Sequence, residues 1–79
     1  MLEQCVKQRL EELGLGGASL TVAGSSVTVI FKTNPQSADA QGDAIINAIC
    51  GCGAGTYSVT GEDDSMPNTV LYQGSGGCG

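Results

Sequence analysis

Four cysteines and one run of carboxylates are the residues of this 79-residue chain whose types could do chemistry, and the chain holds no histidine. Cys50-Gly51-Cys52 sets two thiols either side of one glycine, a spacing that could serve as a redox pair or as half of a thiolate metal site completed by Cys5 and Cys78. Zinc and thioredoxin-type sites normally place two residues between their cysteines, so the simpler expectation is small apolar groups filling space behind a helix, with no metal and no cofactor. Glu62-Asp63-Asp64 lacks the ligand spacing of a calcium loop. Those three residues are instead expected to be a partner-binding surface, where acidic groups raise the rate and specificity of docking. Catalysis has little to work with: acid–base chemistry would fall to carboxylates, and no nucleophile has a base that can be named beside it. The expectation is that the chain is not an enzyme. Gly14-Leu15-Gly16-Gly17 and Gly51-Cys52-Gly53 look like phosphate loops. Both follow helix C-termini, however, where the dipole is negative and repels anions.

Charge narrows the partners. Lys7, Arg9 and Lys32 stand against eight acidic residues, a net charge of −5. That balance disfavours nucleic acid and anionic membranes and suits a basic protein surface, including one that normally holds nucleic acid. A hydrophobic fraction of 41% with one phenylalanine and no tryptophan predicts a small core of Val, Ile, Leu and Ala. No stretch approaches the roughly 18 apolar residues of a membrane span. The chain opens with Glu3 and Gln4 rather than a basic and then apolar segment, so a cytoplasmic protein with reduced thiols is expected.

The elements that must position these groups follow from periodicity. Leu2, Val6, Leu10 and Leu13 form an apolar stripe at helical spacing, with Glu3 and Lys7 paired on the other face. Gly14 then predicts a left-handed stop with Leu15 folding back. Leu20–Ala23 and Ser26–Lys32 alternate either side of Gly24-Ser25, which predicts a hairpin. A type II′ turn there pairs Val22 with Val27, Leu20 with Val29 and Thr21 with Thr28. A second helix is expected from a cap at Asn34 or Ser37 to about Cys50, with Gly42 inside it costing about 1 kcal/mol relative to alanine. Thr56–Thr60 and Thr69–Gln73 should form a second hairpin across a long acidic loop, residues 61–68.

Leu13–Gly24 lies over Cys50–Gly61 without a gap, which reads as a doubled unit. The expected architecture is an α+β, αββαββ pseudo-duplicated domain over residues 1–73, with halves 1–33 and 34–73. Two helices would cover one face of a four-stranded antiparallel sheet. Residues 74–79 are expected to be a flexible glycine-rich tail. The first five elements, with Gly24-Ser25-Ser26-Val27-Thr28-Val29 at the hairpin, resemble the αββαβ order of BON domains over about 60 residues. Gly76-Gly77-Cys78-Gly79 resembles the ends of ubiquitin-like sulfur carriers, which implies a trimmed and thiocarboxylated diglycine as an alternative function. The principal expectation is a small acidic module, an inhibitor or adaptor, that engages a basic protein surface and pairs into a homodimer through unprotected sheet edges.

Overall fold

A computed structural model describes all residues, 1–79. Helix α1 spans Leu2–Glu12, strands β1 and β2 span Ser19–Ala23 and Ser26–Thr33, helix α2 spans Ala38–Gly51, and strands β3 and β4 span Thr56–Asp63 and Val70–Gly77. Both helices lie on one face of a single four-stranded sheet of order β1-β2-β3-β4.

Local chemistry set the first half. Val6 and Leu10 of the α1 stripe are buried, while Leu13, at the helix end, is largely exposed. Gly14 takes a φ of +77°, and the Leu15 N–H donates to the Leu10 carbonyl at 2.8 Å, turning Leu15 back onto the core. The hairpin has the register required by its turn, Val22 opposite Val27, Leu20 opposite Val29 and Thr21 opposite Thr28. Gly24 has a φ of +61° and Ser25 is not in the left-handed region, as a type II′ turn demands. Strict alternation along β2 buries Val27, Val29, Phe31 and Thr33 and exposes Ser26, Thr28, Ile30 and Lys32.

The sheet is mixed, which corrects the antiparallel expectation: β2 and β3 run parallel, Ser26 opposite Thr56 through Thr33 opposite Asp63. The cause is α2. Fourteen helical residues rise about as far as an eight-residue strand. The chain is thereby carried back to the start of β2, and β3 repeats its direction. Ser37 is the residue before α2, and its N–H donates to Asn34 Oδ1 at 3.0 Å, so both residues proposed as caps take part in the start.

The glycine stop that ends α1 recurs at the end of α2, but two positions later than the doubled unit aligns it, with Ala54 N–H donating to the Ile49 carbonyl as Leu15 N–H does to that of Leu10. The left-handed residue there is Gly53, with a φ of +94°, two positions beyond Gly51, which the repeat aligns with Gly14. Helix α2 thus runs two residues past the position that the repeat aligns with the end of α1, and only two residues separate Gly53 from β3.

Residues 74–77 are strand, which corrects the expected tail. Val59 faces Gly74, Tyr57 faces Gly76 and Thr56 faces Gly77, and the Cys78 N–H donates to the Gly55 carbonyl at 2.9 Å. The glycines are there for clearance: a Cβ on Gly74 would sit 3.1 Å from Ile46 Cδ1, and one on Gly76 would sit 3.2 Å from the Tyr57 phenol oxygen. Gly42 has the same explanation. Its hydrogen faces the Tyr72 ring so closely that any side chain would overlap it. Gly42→Ala is therefore expected to destabilise by about 1–3 kcal/mol through overpacking, reversing the sign that helix propensity alone gives. Urea denaturation would check this, and a stabilised variant would show that the ring can move away freely.

The cysteines are all paired, which corrects the expectation of reduced filler thiols. Cys5 bonds Cys52 and Cys50 bonds Cys78, with Cα separations of 5.8 and 5.3 Å, inside the ordinary window. The last turn of α2 is thus stapled on one side to the start of α1 and on the other to the end of β4.

Candidate binding surface

Alternation on β3 divides the acidic run. Glu62 lies on the uncovered face of the sheet, where Oε1 accepts from Lys32 Nζ at 2.8 Å across the parallel ladder. Asp63 turns towards the helix layer and is buried. Its Oδ1 accepts from the Ser65 N–H at 2.9 Å and the Ser65 hydroxyl at 2.8 Å. Those bonds hold the Asp63 carboxyl below its ordinary pKa, and the stabilisation they give is lost as pH falls through that lowered value. Only Asp64 is a free carboxylate in the loop; its N–H donates to the Thr33 carbonyl at 2.9 Å. Of the three partner-binding residues named from sequence, one is ion-paired, one organises the turn and one is presented to solvent.

The tertiary structure adds acidic groups that the sequence run did not contain. Because β2 and β3 are parallel, both finish at the end of the sheet where α2 begins, bringing Asp39 and Asp43 to the same end as Glu62, Asp63 and Asp64. The α1–β1 connection lies at this end too. Gly14, Leu15, Gly17 and Ala18 line a shallow cleft of about 280 Å³ with Phe31 and Lys32. Gly16 packs against the Glu11 side chain. Every acidic residue except Glu3 is therefore gathered towards one pole. The opposite pole holds the two disulfides. Glu11 and Glu12 occupy the last turn of α1, where the helix dipole disfavours negative charge, so the acidic pole is kept at some cost in helix stability. No signal in a linear reading reveals this pole, since its members come from three separated segments.

Tyr72 on β4 reports on the same region. Its hydroxyl donates to Asp43 Oδ1 at 2.9 Å. Burial first, then the Asp43 hydrogen bond and the negative charges of Asp43 and Asp39, push its pKa up to about 12. A raised tyrosine contributes stability that is intact below its unfolded pKa of about 10 and is lost as pH climbs towards the folded value. Alkaline titration followed by tyrosinate absorbance should show one ionisation delayed to about pH 12, with thermal stability falling across that interval. Tyr72→Phe should remove that late step and cost about 1 kcal/mol for the lost hydrogen bond. A tyrosine step at the ordinary value would show that the Asp43 bond does not form.

The face of the sheet away from the helices carries no covering element. Ordered by strand register, Thr21, Thr28, Ser58 and Ser75 form a row of hydroxyls across all four strands. On one side of that row the Ser26 and Thr56 hydroxyls lie 2.7 Å apart, and on the other the Thr60 hydroxyl donates to Gln73 Oε1 at 2.9 Å. Charge on this face is confined to the Lys32–Glu62 pair at the acidic pole.

The diglycine proposed as a carrier terminus is in β4, and Cys78 beyond it is disulfide-bonded. Presenting Gly76-Gly77 to an activating enzyme would require release from Cys78, by cleavage after Gly77 or by reduction of Cys50–Cys78, and peeling of the strand end.

The geometry defines a two-layer α+β domain with a charged pole and a disulfide-bonded pole. In comparison with known proteins, the chain matches no family model, no curated protein and no solved structure. No helix is long and apolar enough to cross a membrane.

Proposed function

We propose that this chain is a non-catalytic protein-binding module, an inhibitor or adaptor whose acidic pole engages a basic protein surface of the kind that otherwise holds nucleic acid. The observation that carries this reading is the convergence of Glu11, Glu12, Asp39, Asp43, Glu62 and Asp64 on one end of the domain, with Lys32 committed to Glu62. A one-sided field of this kind steers a cationic partner and fixes its orientation. Asp63 serves the surface indirectly, by shaping the turn that presents Asp64. The paired cysteines favour an oxidising compartment over the cytoplasm, because two disulfides with half-exposed cysteines would not survive a glutathione-reduced setting.

The test is capture from native-source extract by the oxidised protein, compared with a variant carrying Asp39→Asn, Glu62→Gln and Asp64→Asn. Basic proteins retained by the parent should be lost from the variant and eluted by salt. Retention that is unchanged by neutralisation would remove the acidic pole from the account.

A further inference from the structure

The outer edge of β4 is built to pair, and its geometry is independent of the acidic pole. In an antiparallel ladder, alternate residues exchange hydrogen bonds with the neighbouring strand while the residues between them aim their N–H and C=O groups the other way. Cys78 N–H bonds the Gly55 carbonyl, which fixes the phase: Cys78, Gly76, Gly74 and Tyr72 address β3. Gln73, Ser75 and Gly77 therefore direct their backbone groups away from the sheet. This regular stretch ends at Tyr72, because a bulge interrupts pairing between Gly61 and Glu62. No charged residue and no proline lies between Val70 and Gly79, so none of the usual devices that blunt an edge strand is present. The Cys50–Cys78 disulfide holds the strand in place to its last residue, which lowers the ordering cost of a partner's docking.

We infer that the occupant of this edge is a second copy of the chain, its β4 antiparallel to the first about a two-fold axis at Ser75. The regular stretch, residues 72–78, is centred on that residue. With Ser75 of one copy opposite Ser75 of the other, Gln73 faces Gly77 in both directions, and every outward donor meets an outward acceptor. Gly74 then faces Gly76, so the centre of the seam carries no side chains on the helix side, where only Tyr72 and Cys78 meet at its two ends. The arrangement also satisfies electrostatics: antiparallel β4 strands send the two acidic poles to opposite ends of the joined eight-stranded sheet. Translating one copy so that β4 meets the β1 edge of the next would align the acidic poles side by side. It would also offer only the five residues of β1, in a parallel ladder that is less stable per residue.

The experiment is sedimentation equilibrium of the oxidised full chain, with Ser75→Pro and Ser75→Lys. Proline at this position removes an outward N–H and no bond to β3, so the fold should persist, as checked by circular dichroism and by intact disulfides. Lysine places two like charges on the axis and covers the case in which the proline variant does not fold. The parent should run at twice its 7.9 kDa mass, and each folded variant should raise the dissociation constant at least about tenfold. A parent that stays monomeric at about 1 mM overturns the inference. So does a dimer indifferent to both substitutions, and so does growth into open polymers, which would indicate head-to-tail pairing of β1 with β4.

Discussion

Reduction of the two disulfides with excess dithiol at neutral pH is expected to unfold this protein, or to lower its melting temperature by tens of degrees. The links close chain segments of 47 and 28 residues. On the chain-entropy account these contribute about 4 and about 3.5 kcal/mol respectively, and the sum is an upper bound because both loops pass through Cys50–Cys52. A domain of this size has a total stability near the lower end of about 5–15 kcal/mol, so losing both links consumes most of it. The two links should be separable. Cys5→Ser with Cys52→Ser frees the start of α1, where Val6 and Leu10 still anchor the helix to the core. Cys50→Ser with Cys78→Ser frees the glycine-rich end of β4, where few side chains hold the strand. Hydrogen exchange should then show opening confined to α1 in the first variant and to the β4 end in the second. Calorimetry giving the same melting temperature for oxidised and reduced protein would show that the core alone suffices.

Phe31→Ala is expected to cost about 3–5 kcal/mol, the usual range for removing a buried aromatic. Phe31 is 1% exposed in the middle of a central strand. Its ring lies 6.4 Å from that of Tyr72 at a tilt of 57°, and it fills the space over Gly61, where a Cβ would come within 2.8 Å of it. No second phenylalanine or tryptophan is available to collapse into the vacancy, and glycine beneath it offers no side chain to do so. Urea midpoints at unchanged m-value would give the loss directly. A cost under about 1 kcal/mol would mean that the helix layer settles onto the sheet and the cavity does not persist.

The acidic surface and the β4 seam differ in what would disturb them. The pole acts through charge and should weaken with salt, whereas the seam is made of backbone bonds and should be largely indifferent to it. Both require the oxidised fold, since Cys50 and Cys52 at the end of α2 hold β4 and α1 in their places.

What the sequence determined by itself was everything governed by neighbours in the chain. The α1 stripe, the Gly14 stop and the register of the first hairpin are each specified within about a dozen residues, by side-chain period and turn chemistry. Only the tertiary structure decided which strands are parallel, which cysteines meet and where β4 ends. Cysteine pairing cannot be deduced from an even count, because four thiols allow three connectivities. Gly74, Gly76 and Gly77 read as a loose tail because glycine carries no apolar period; the reason for Gly74 and Gly76, clearance for Ile46 and Tyr57, lies on other elements. The acidic run was legible as a run. Its division into an ion pair, a turn-forming carboxylate and one free charge came from strand alternation at positions expected to be loop, and the acidic pole came from the return path of α2. Local pattern fixes how each segment bends, while the pole and the seam depend on contacts between distant segments whose energies appear only once the layers pack.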